Sequence, residues 1–271
     1  WEVTEEGRYR YGDFYDGEVY DAAADLEKAD WRQAGRETVR IQPELVATYG
    51  NLVRAHEVMR PVSCVRGRSG MLIYDFGQNF AGVISAKLRG RAGQVVKFQH
   101  TELLMDGELY LEPLRTAKVS AVYTCTDVEQ EYSPRLTYMG FRYVGVTGIE
   151  AGDLELSALA LYSDIDGIGA FRCSNPLINR LQENIRWSAK SNFMDIPTDC
   201  PQRDERMAWL NDMTVRCEEA MFNFDVRLFY EKWLLDIADA QTPEGSIPDT
   251  APHVYCGNPA FHVSSCFVLI P

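Results

Sequence analysis

The 271-residue chain carries 27 Lys and Arg against 40 Asp and Glu, a formal net charge of −13. That charge repels phosphate backbones and excludes nucleic-acid binding through a broad basic face. A hydrophobic share of 46% suffices for a buried core and excludes a disordered acidic tail, and no apolar run reaches the roughly 18–20 residues of a membrane span, so no membrane partner is expected.

The length suggests two domains. Residues 1–60, with Gly7, Gly12 and Gly17 among aromatic and acidic residues, read as the tail of a preceding β domain and a linker. Over residues 61–167 short β-branched and aromatic runs alternate with Gly and Asp turns. Met71-Leu72-Ile73-Tyr74 ends in the turn Asp75-Phe76-Gly77; further runs start at Gly82, Gln94, Ser120, Phe141 and Leu154. This pattern predicts an antiparallel β-sandwich.

Near residue 168 the apolar period lengthens, and residues 168–271 read as an α domain. Ser174-Asn175-Pro176 places a cap before proline, and Leu177, Leu181, Ile185 and Ala189 follow at helical spacing. A second helix is predicted over residues 205–222. A third, over 226–240, takes its face from Leu228, Trp233, Leu234, Ile237 and Ala238. The chain opens at Trp1 without an initiator Met and closes on apolar Phe267-Val268-Leu269-Ile270-Pro271, which reads as an internal piece of a longer protein.

The seven cysteines are odd in number, scattered and without a CxxC pair. Free buried thiols in a reducing compartment are expected, which favours the cytoplasm, and neither a metal site nor a cofactor is implied.

Polar chemistry concentrates in Asp195-Ile196-Pro197-Thr198-Asp199-Cys200-Pro201-Gln202-Arg203-Asp204-Glu205-Arg206-Met207-Ala208-Trp209-Leu210-Asn211-Asp212. Pro197 and Pro201 hold Asp199 on an extended path. On a helix, Glu205 and Asp212 lie two turns apart on one face, with Trp209 between them. Carboxylates, a guanidinium from Arg203 and an indole suit a sugar pocket, where the acids bond hydroxyls and move protons while the ring covers an apolar sugar face. The same residues also suit a solvated interhelical turn whose acids cap a helix N-terminus. Spacing alone leaves both open.

The string from Pro197 to Asp212 resembles the signature of bacterial α-L-rhamnosidases of glycoside hydrolase family 78. Phe171-Arg172-Cys173-Ser174-Asn175-Pro176 resembles the entry to that family's catalytic domain. Tyr74-Asp75-Phe76-Gly77-Gln78-Asn79-Phe80-Ala81-Gly82 and Thr137-Tyr138-Met139-Gly140-Phe141-Arg142-Tyr143 resemble its preceding β-sandwich. One departure is Ala208, where the family often has glycine; another is Leu210-Asn211 between Trp209 and Asp212.

The resemblance implies the N-terminal part of an (α/α)6 barrel and an inverting hydrolysis of terminal α-L-rhamnose from rhamnose-containing carbohydrates or glycosides. Glu205 would be the general acid, with its pKa raised by neighbouring carboxylates; Asp199, Arg203 and Asp212 would bind rhamnose hydroxyls and Trp209 would pack on the sugar. The general base would lie beyond residue 271, leaving this chain inactive, with apolar helix faces (Leu228, Trp233 and Leu234 among them) open to water and prone to homo-oligomerisation. Glu244 reads as a turn residue, and His253 and His262 as core or surface histidines. Two other readings stay open: a non-catalytic carbohydrate-binding β module with Tyr110, Tyr138 and Tyr143 as an aromatic platform, and another (α/α)6 glycosidase or lyase.

Overall fold

The computed structural model describes residues 1–37 and 44–253. His262, Cys256, Cys266 and the apolar stretch 267–270 lie outside the described residues. The strands in chain order are β1 (Glu2–Val3), β2 (Tyr9–Asp13), β3 (Gly17–Asp21), β4 (Arg32–Gln33), β5 (Val53–Met59) and β6 (Ser63–Arg66). Then come β7 (Leu72–Arg89), β8 (Val95–Thr101), β9 (Leu103–Met105), β10 (Glu108–Tyr110), β11 (Ser120–Thr124) and β12 (Glu129–Tyr132). The last are β13 (Met139–Thr147), β14 (Leu154–Ser163), β15 (Phe193–Met194) and β16 (Ile196–Pro197). Three α-helices occur among the described residues: α1 (Pro176–Asn192), α2 (Leu210–Asn223) and α3 (Arg227–Asp239).

Ten strands join one sheet in the order β2-β3-β11-β8-β13-β7-β14-β5, with β6 and β12 also pairing on β7. The architecture is thus mostly β sheet followed by helices. Residues expected as a tail and linker supply strands to both edges of this sheet: β2 and β3 at one, β5 at the other. The strand pairs within residues 61–167 are antiparallel, whereas β3, from the stretch before them, runs parallel to β11. Strands more than ninety positions apart need no hairpin, so no local turn signal marks that pair.

Two of the expected runs, at Met71 and at Gly82, are one strand, the 18-residue β7. The Asp75-Phe76-Gly77 signal marks a bulge inside it: the register with β13 jumps from Phe80↔Phe141 to Asp75↔Tyr143. Gly77 takes φ +74 there, a conformation open to glycine, and its N–H donates to Asp75 Oδ1 at 2.7 Å. Arg142 closes the bulge with a bidentate pair to Asp75, both contacts at 2.8 Å.

Phe76 packs edge to face on Phe80 and Phe141, which meet each other tilted, inside the curl of the sheet. One hydrophobic cluster continues from these rings through Phe193 into the helices, where Phe193 meets Phe224 and Phe229 edge-on. Burying each such ring contributes roughly 1.5–3 kcal/mol, so this seam fixes the helices against the sheet.

Helix α1 begins as the cap signal predicts: the Asn175 side chain accepts the Leu177 N–H at 2.9 Å, with Pro176 in the first turn. Its periodic apolar set does not form a buried face, however. Ala189 is buried, whereas Leu177 and Leu181 are 78% and 57% exposed. The face α1 turns to the sheet is instead polar and aromatic, and the Ser191 hydroxyl accepts the Ala81 N–H at 3.2 Å. Trp233, expected open to water, is 1% exposed and donates its indole N–H to Ala251 O at 3.0 Å. Leu228 and Leu234 are half-buried, and Glu244 lies in an exposed turn.

Candidate functional site

The second helix starts at Leu210, not near Glu205, so the argument that places Glu205 and Asp212 two turns apart on one helical face fails. Residues 198–209 form a folded loop instead, and loop geometry brings the residues together. The hairpin of β15 and β16 turns through Asp195 at φ +66, and Thr198 is then tied back to Asn192 O through its N–H at 2.9 Å. Pro201 packs against Gly140, where a β-carbon would stand 2.6 Å from the proline ring. Glycine at 140 is therefore what lets the loop approach β13.

Asp199 closes the loop on itself. Its N–H donates to Met207 O at 2.8 Å, and its Oδ1 accepts the Met207 N–H, also at 2.8 Å. Its other oxygen, Oδ2, accepts Arg203 Nη2 at 3.1 Å, and the carboxylate is 5% exposed.

Arg203 bridges two acids, because its Nε donates to Glu205 Oε2 at 3.0 Å. Arg115 Nη1 reaches the same oxygen at 2.9 Å, and the Trp209 indole N–H donates to Oε1 at 3.0 Å. Four of the five expected site residues (Asp199, Arg203, Glu205 and Trp209) thus form one bonded network.

Asp212 stands in the first turn of α2, the position expected of a helix-dipole acid. Its carboxyl lies above the ordinary range, pushed there by partial burial and then by the charges of Asp199 and Glu205. Trp209 is the N-cap residue and makes no side-chain cap bond, so the capping reading does not extend to Glu205.

Cys200 is buried beneath this network, with its thiol pushed up to about 12 by burial. It accepts the Arg206 N–H at 3.5 Å and is structural. Asp199, Cys200 and Glu205 bring their ligand atoms within 4.8 Å of one another, the one such trio among the described residues. The Arg203 guanidinium already binds both carboxylates, supplying the positive charge a cation would bring.

A cleft of about 580 Å³ lies between the β7 bulge, α1 and this loop. Gln78 and Asn79 reach it from the bulge, Asn184 and Trp187 from α1, and Gln202 and Arg203 from the loop. Glu102 also lines it; burial pushes its carboxyl up, while the Asn79 amide donating at 2.6 Å and the charge of Arg203 work the other way. Such a cleft offers hydroxyl-bonding groups on every wall beside an indole, which suits a carbohydrate.

Arg115, Glu102 and Tyr15 were not predicted. Tyr15 donates its hydroxyl to Glu205 O at 2.9 Å from 190 positions away, and no local pattern marks such a contact. The proposed aromatic platform does not form, since Tyr138 is 4% exposed beneath the loop. His253 is exposed. Of the five described cysteines, all free, Cys125, Cys200 and Cys217 are buried as expected, whereas Cys64 is exposed and Cys173 half-buried. No helix among the described residues is long and apolar enough to cross a membrane.

Two family profiles match the chain. The bacterial α-L-rhamnosidase concanavalin-like domain matches residues 65–162, and the bacterial α-L-rhamnosidase 6 hairpin glycosidase domain matches residues 166–271. An α-L-rhamnosidase of Streptomyces avermitilis is 33% identical over 256 residues, 89% of this chain and 25% of that protein. One from Formosa agariphila is 32% identical over 272 residues, 94% of this chain and 29% of that protein.

Among solved structures, the α-L-rhamnosidase from Dictyoglumus thermophilum superposes with a TM-score of 0.84 at 36% identity, covering 92% of this chain and 30% of that one. The Streptomyces avermitilis enzyme complexed with L-rhamnose superposes at 0.85 and 31% identity, covering 92% and 25%. The chain spans between a quarter and three tenths of the length of these relatives.

Proposed function

The chain belongs to the bacterial α-L-rhamnosidases of glycoside hydrolase family 78, and from that premise we propose that it carries the acid half of an inverting site acting on terminal, non-reducing α-L-rhamnose. In this reading residues 61–167 are a β-sandwich domain and residues 168–271 begin an (α/α)6 barrel. Glu205 protonates the glycosidic oxygen as the bond to the leaving group breaks. Asp199, Arg203 and Asp212 bind rhamnose hydroxyls, and Trp209 packs on the sugar while steering the Glu205 carboxyl through its indole N–H.

The observation that carries the reading is the convergence on Glu205. Arg203, Arg115 and Trp209 all meet its carboxyl group, and Asp199 and Arg203 of the same network line a polar cleft. Inversion needs a second carboxylate roughly 6.5–9.5 Å from the acid to activate water on the opposite face of the sugar. The proposed base is a carboxylate outside these 271 residues, in the rest of the barrel.

The test uses the full-length protein that contains this chain, with aryl α-L-rhamnoside and aryl β-glucoside as substrates. Turnover of the rhamnoside alone is expected, with the first-formed rhamnose carrying the inverted anomeric configuration by proton NMR. Preference for the glucoside would overturn the substrate assignment, and retention of configuration would overturn the mechanism.

A further inference from the structure

We infer that Arg206 is a positioning residue for this hydrolysis: it holds the turn that presents Glu205 from behind, by gripping three backbone carbonyls inside an aromatic cage. The inference rests on Glu205 as the general acid.

Glu205 and Arg206 are neighbours with opposite destinations. The Glu205 carboxylate joins the network beside the cleft, while the Arg206 side chain turns into the protein and leaves the residue 4% exposed. Its Nη1 donates to Tyr138 O at 2.7 Å and to Phe14 O at 2.8 Å, and its Nε donates to Arg203 O at 3.1 Å. The rings of Tyr138, Phe14 and Tyr15 stand around the guanidinium at 4.9, 5.5 and 5.5 Å from their centroids. No carboxylate pairs with it among the described residues, and its Nη2 makes no hydrogen bond there, so carbonyl dipoles and ring faces hold the charge.

What this grip fixes is the backbone on either side of Glu205. The bond from Arg206 Nε to Arg203 O spans the acid, and the Arg206 N–H is bound to Cys200 Sγ. Tyr15, one wall of the cage, donates its hydroxyl to the carbonyl of Glu205 itself. Arg206 sits at φ +52, a conformation that L residues rarely adopt without compensating contacts. Arg115, which reaches the Glu205 carboxylate from the other side, is also at a positive φ, +58. Of the five non-glycine residues at positive φ among the described residues, one thus bonds the acid and one adjoins it.

A fold staple alone and a positioning device predict different kinetics. Misplacing a catalytic group by about 1 Å costs on the order of 10²-fold, and for a general acid the loss falls on substrates whose leaving group needs the proton. In the full-length protein Arg206→Lys keeps the charge and reach but lacks the planar fork that spans three carbonyls. It is expected to melt within a few degrees of the parent. On a rhamnosyl disaccharide its kcat should fall roughly 10–100-fold, with KM nearly unchanged. On 2,4-dinitrophenyl α-L-rhamnoside, whose leaving group departs unprotonated, kcat should fall less than about 3-fold.

Equal losses on both substrates, or none, would overturn the proposal. Should Arg206→Lys fail to fold, Tyr15→Phe removes only the hydroxyl on Glu205 O; a smaller loss with the same leaving-group dependence is expected, and an unchanged kcat overturns the proposal. Glu205→Gln is measured beside them. If it costs nothing, the acid assignment fails; if it costs activity while the other two do not, the positioning role alone fails.

Discussion

The indole N–H of Trp209 meets Glu205 Oε1 at 3.0 Å, although the two residues lie in a loop and not on the helix their spacing suggests. The contact fixes one carboxyl oxygen while Arg203 and Arg115 fix the other. Glu205→Gln keeps the shape and removes the proton donor. In the full-length protein its kcat on a rhamnosyl disaccharide should fall by roughly 10²–10⁴-fold. The loss should shrink on an activated aryl rhamnoside, and equal losses on both would argue against acid catalysis.

Asp199 is built into the fold more deeply than its sequence context implies. Between two prolines it reads as a loop carboxylate on an extended path. The structure has it accepting a backbone N–H and a guanidinium while almost wholly shielded. Asp199→Ala leaves the Met207 N–H without its acceptor, at a cost of about 1–3 kcal/mol. Urea denaturation of the chain should show a lowered midpoint, and Asp199→Asn, which keeps one acceptor oxygen, should lose less. An unchanged midpoint for Asp199→Ala would mean that the Met207 contact carries no weight in solution.

These cases mark what local sequence encodes. The start of α1 was legible because Asn175 and Pro176 act within one turn, and the span of α3 followed from its own apolar period. The members of the bonded network were legible as residue types at 199, 203, 205 and 209. Their geometry was not, because Trp209, extended at the N-cap position of α2, ends the helical path that periodicity carries back to Glu205. The bulge in β7 reads as a turn, since Asp75 and Gly77 serve either purpose and only Arg142, 67 positions away, decides between them. Arg115 and Tyr15 complete the site through the sheet, by contacts that no window of sequence contains.

Asp212 carries a pH signature. Its carboxyl is raised in the fold, so the folded state binds a proton more readily there than the unfolded chain does. Stability from this group is present at acid pH and is lost as pH rises through the folded value. Asp212→Asn should therefore melt higher than the parent at pH 7, with the gain vanishing below the ordinary carboxylate range. Thermal melts at pH 7 and pH 3.5 check this; a gain of equal size at both values would trace to the side chain's shape and not its charge.

His100 gives the opposite slope. Burial holds its imidazole neutral in the fold, lowered from 6.5 to about 4, with one ring nitrogen against Val119 O at 3.1 Å. The unfolded chain takes up the proton first as pH falls, so stability drops between about pH 6.5 and pH 4, by up to roughly 3 kcal/mol. His100→Asn, which can still donate to Val119 O, should flatten that part of the curve in urea titrations. A slope unchanged in the variant would place the titration elsewhere.

On the proposed inverting mechanism, with its base outside these residues, the isolated 271-residue chain should hydrolyse nothing. An inverting reaction needs acid and base together, and an acid alone does not generate the attacking water. The helices also expose apolar surface: Leu177 is 78% exposed on α1, while Val215 and Phe222 on α2 are 80% and 71% exposed. Val215 and Phe222 line a groove of about 600 Å³ together with Phe171 and Gln182. Surface of this kind favours association with another copy or with further helices of a barrel. Size-exclusion chromatography of the purified chain should accordingly show oligomers or aggregates, and assays with aryl α-L-rhamnoside should give no turnover. Catalysis by a monodisperse monomer would refute the placement of the base outside these residues. It would require a second carboxylate of this chain, with Asp212 or Glu102 the first to substitute, to activate the water.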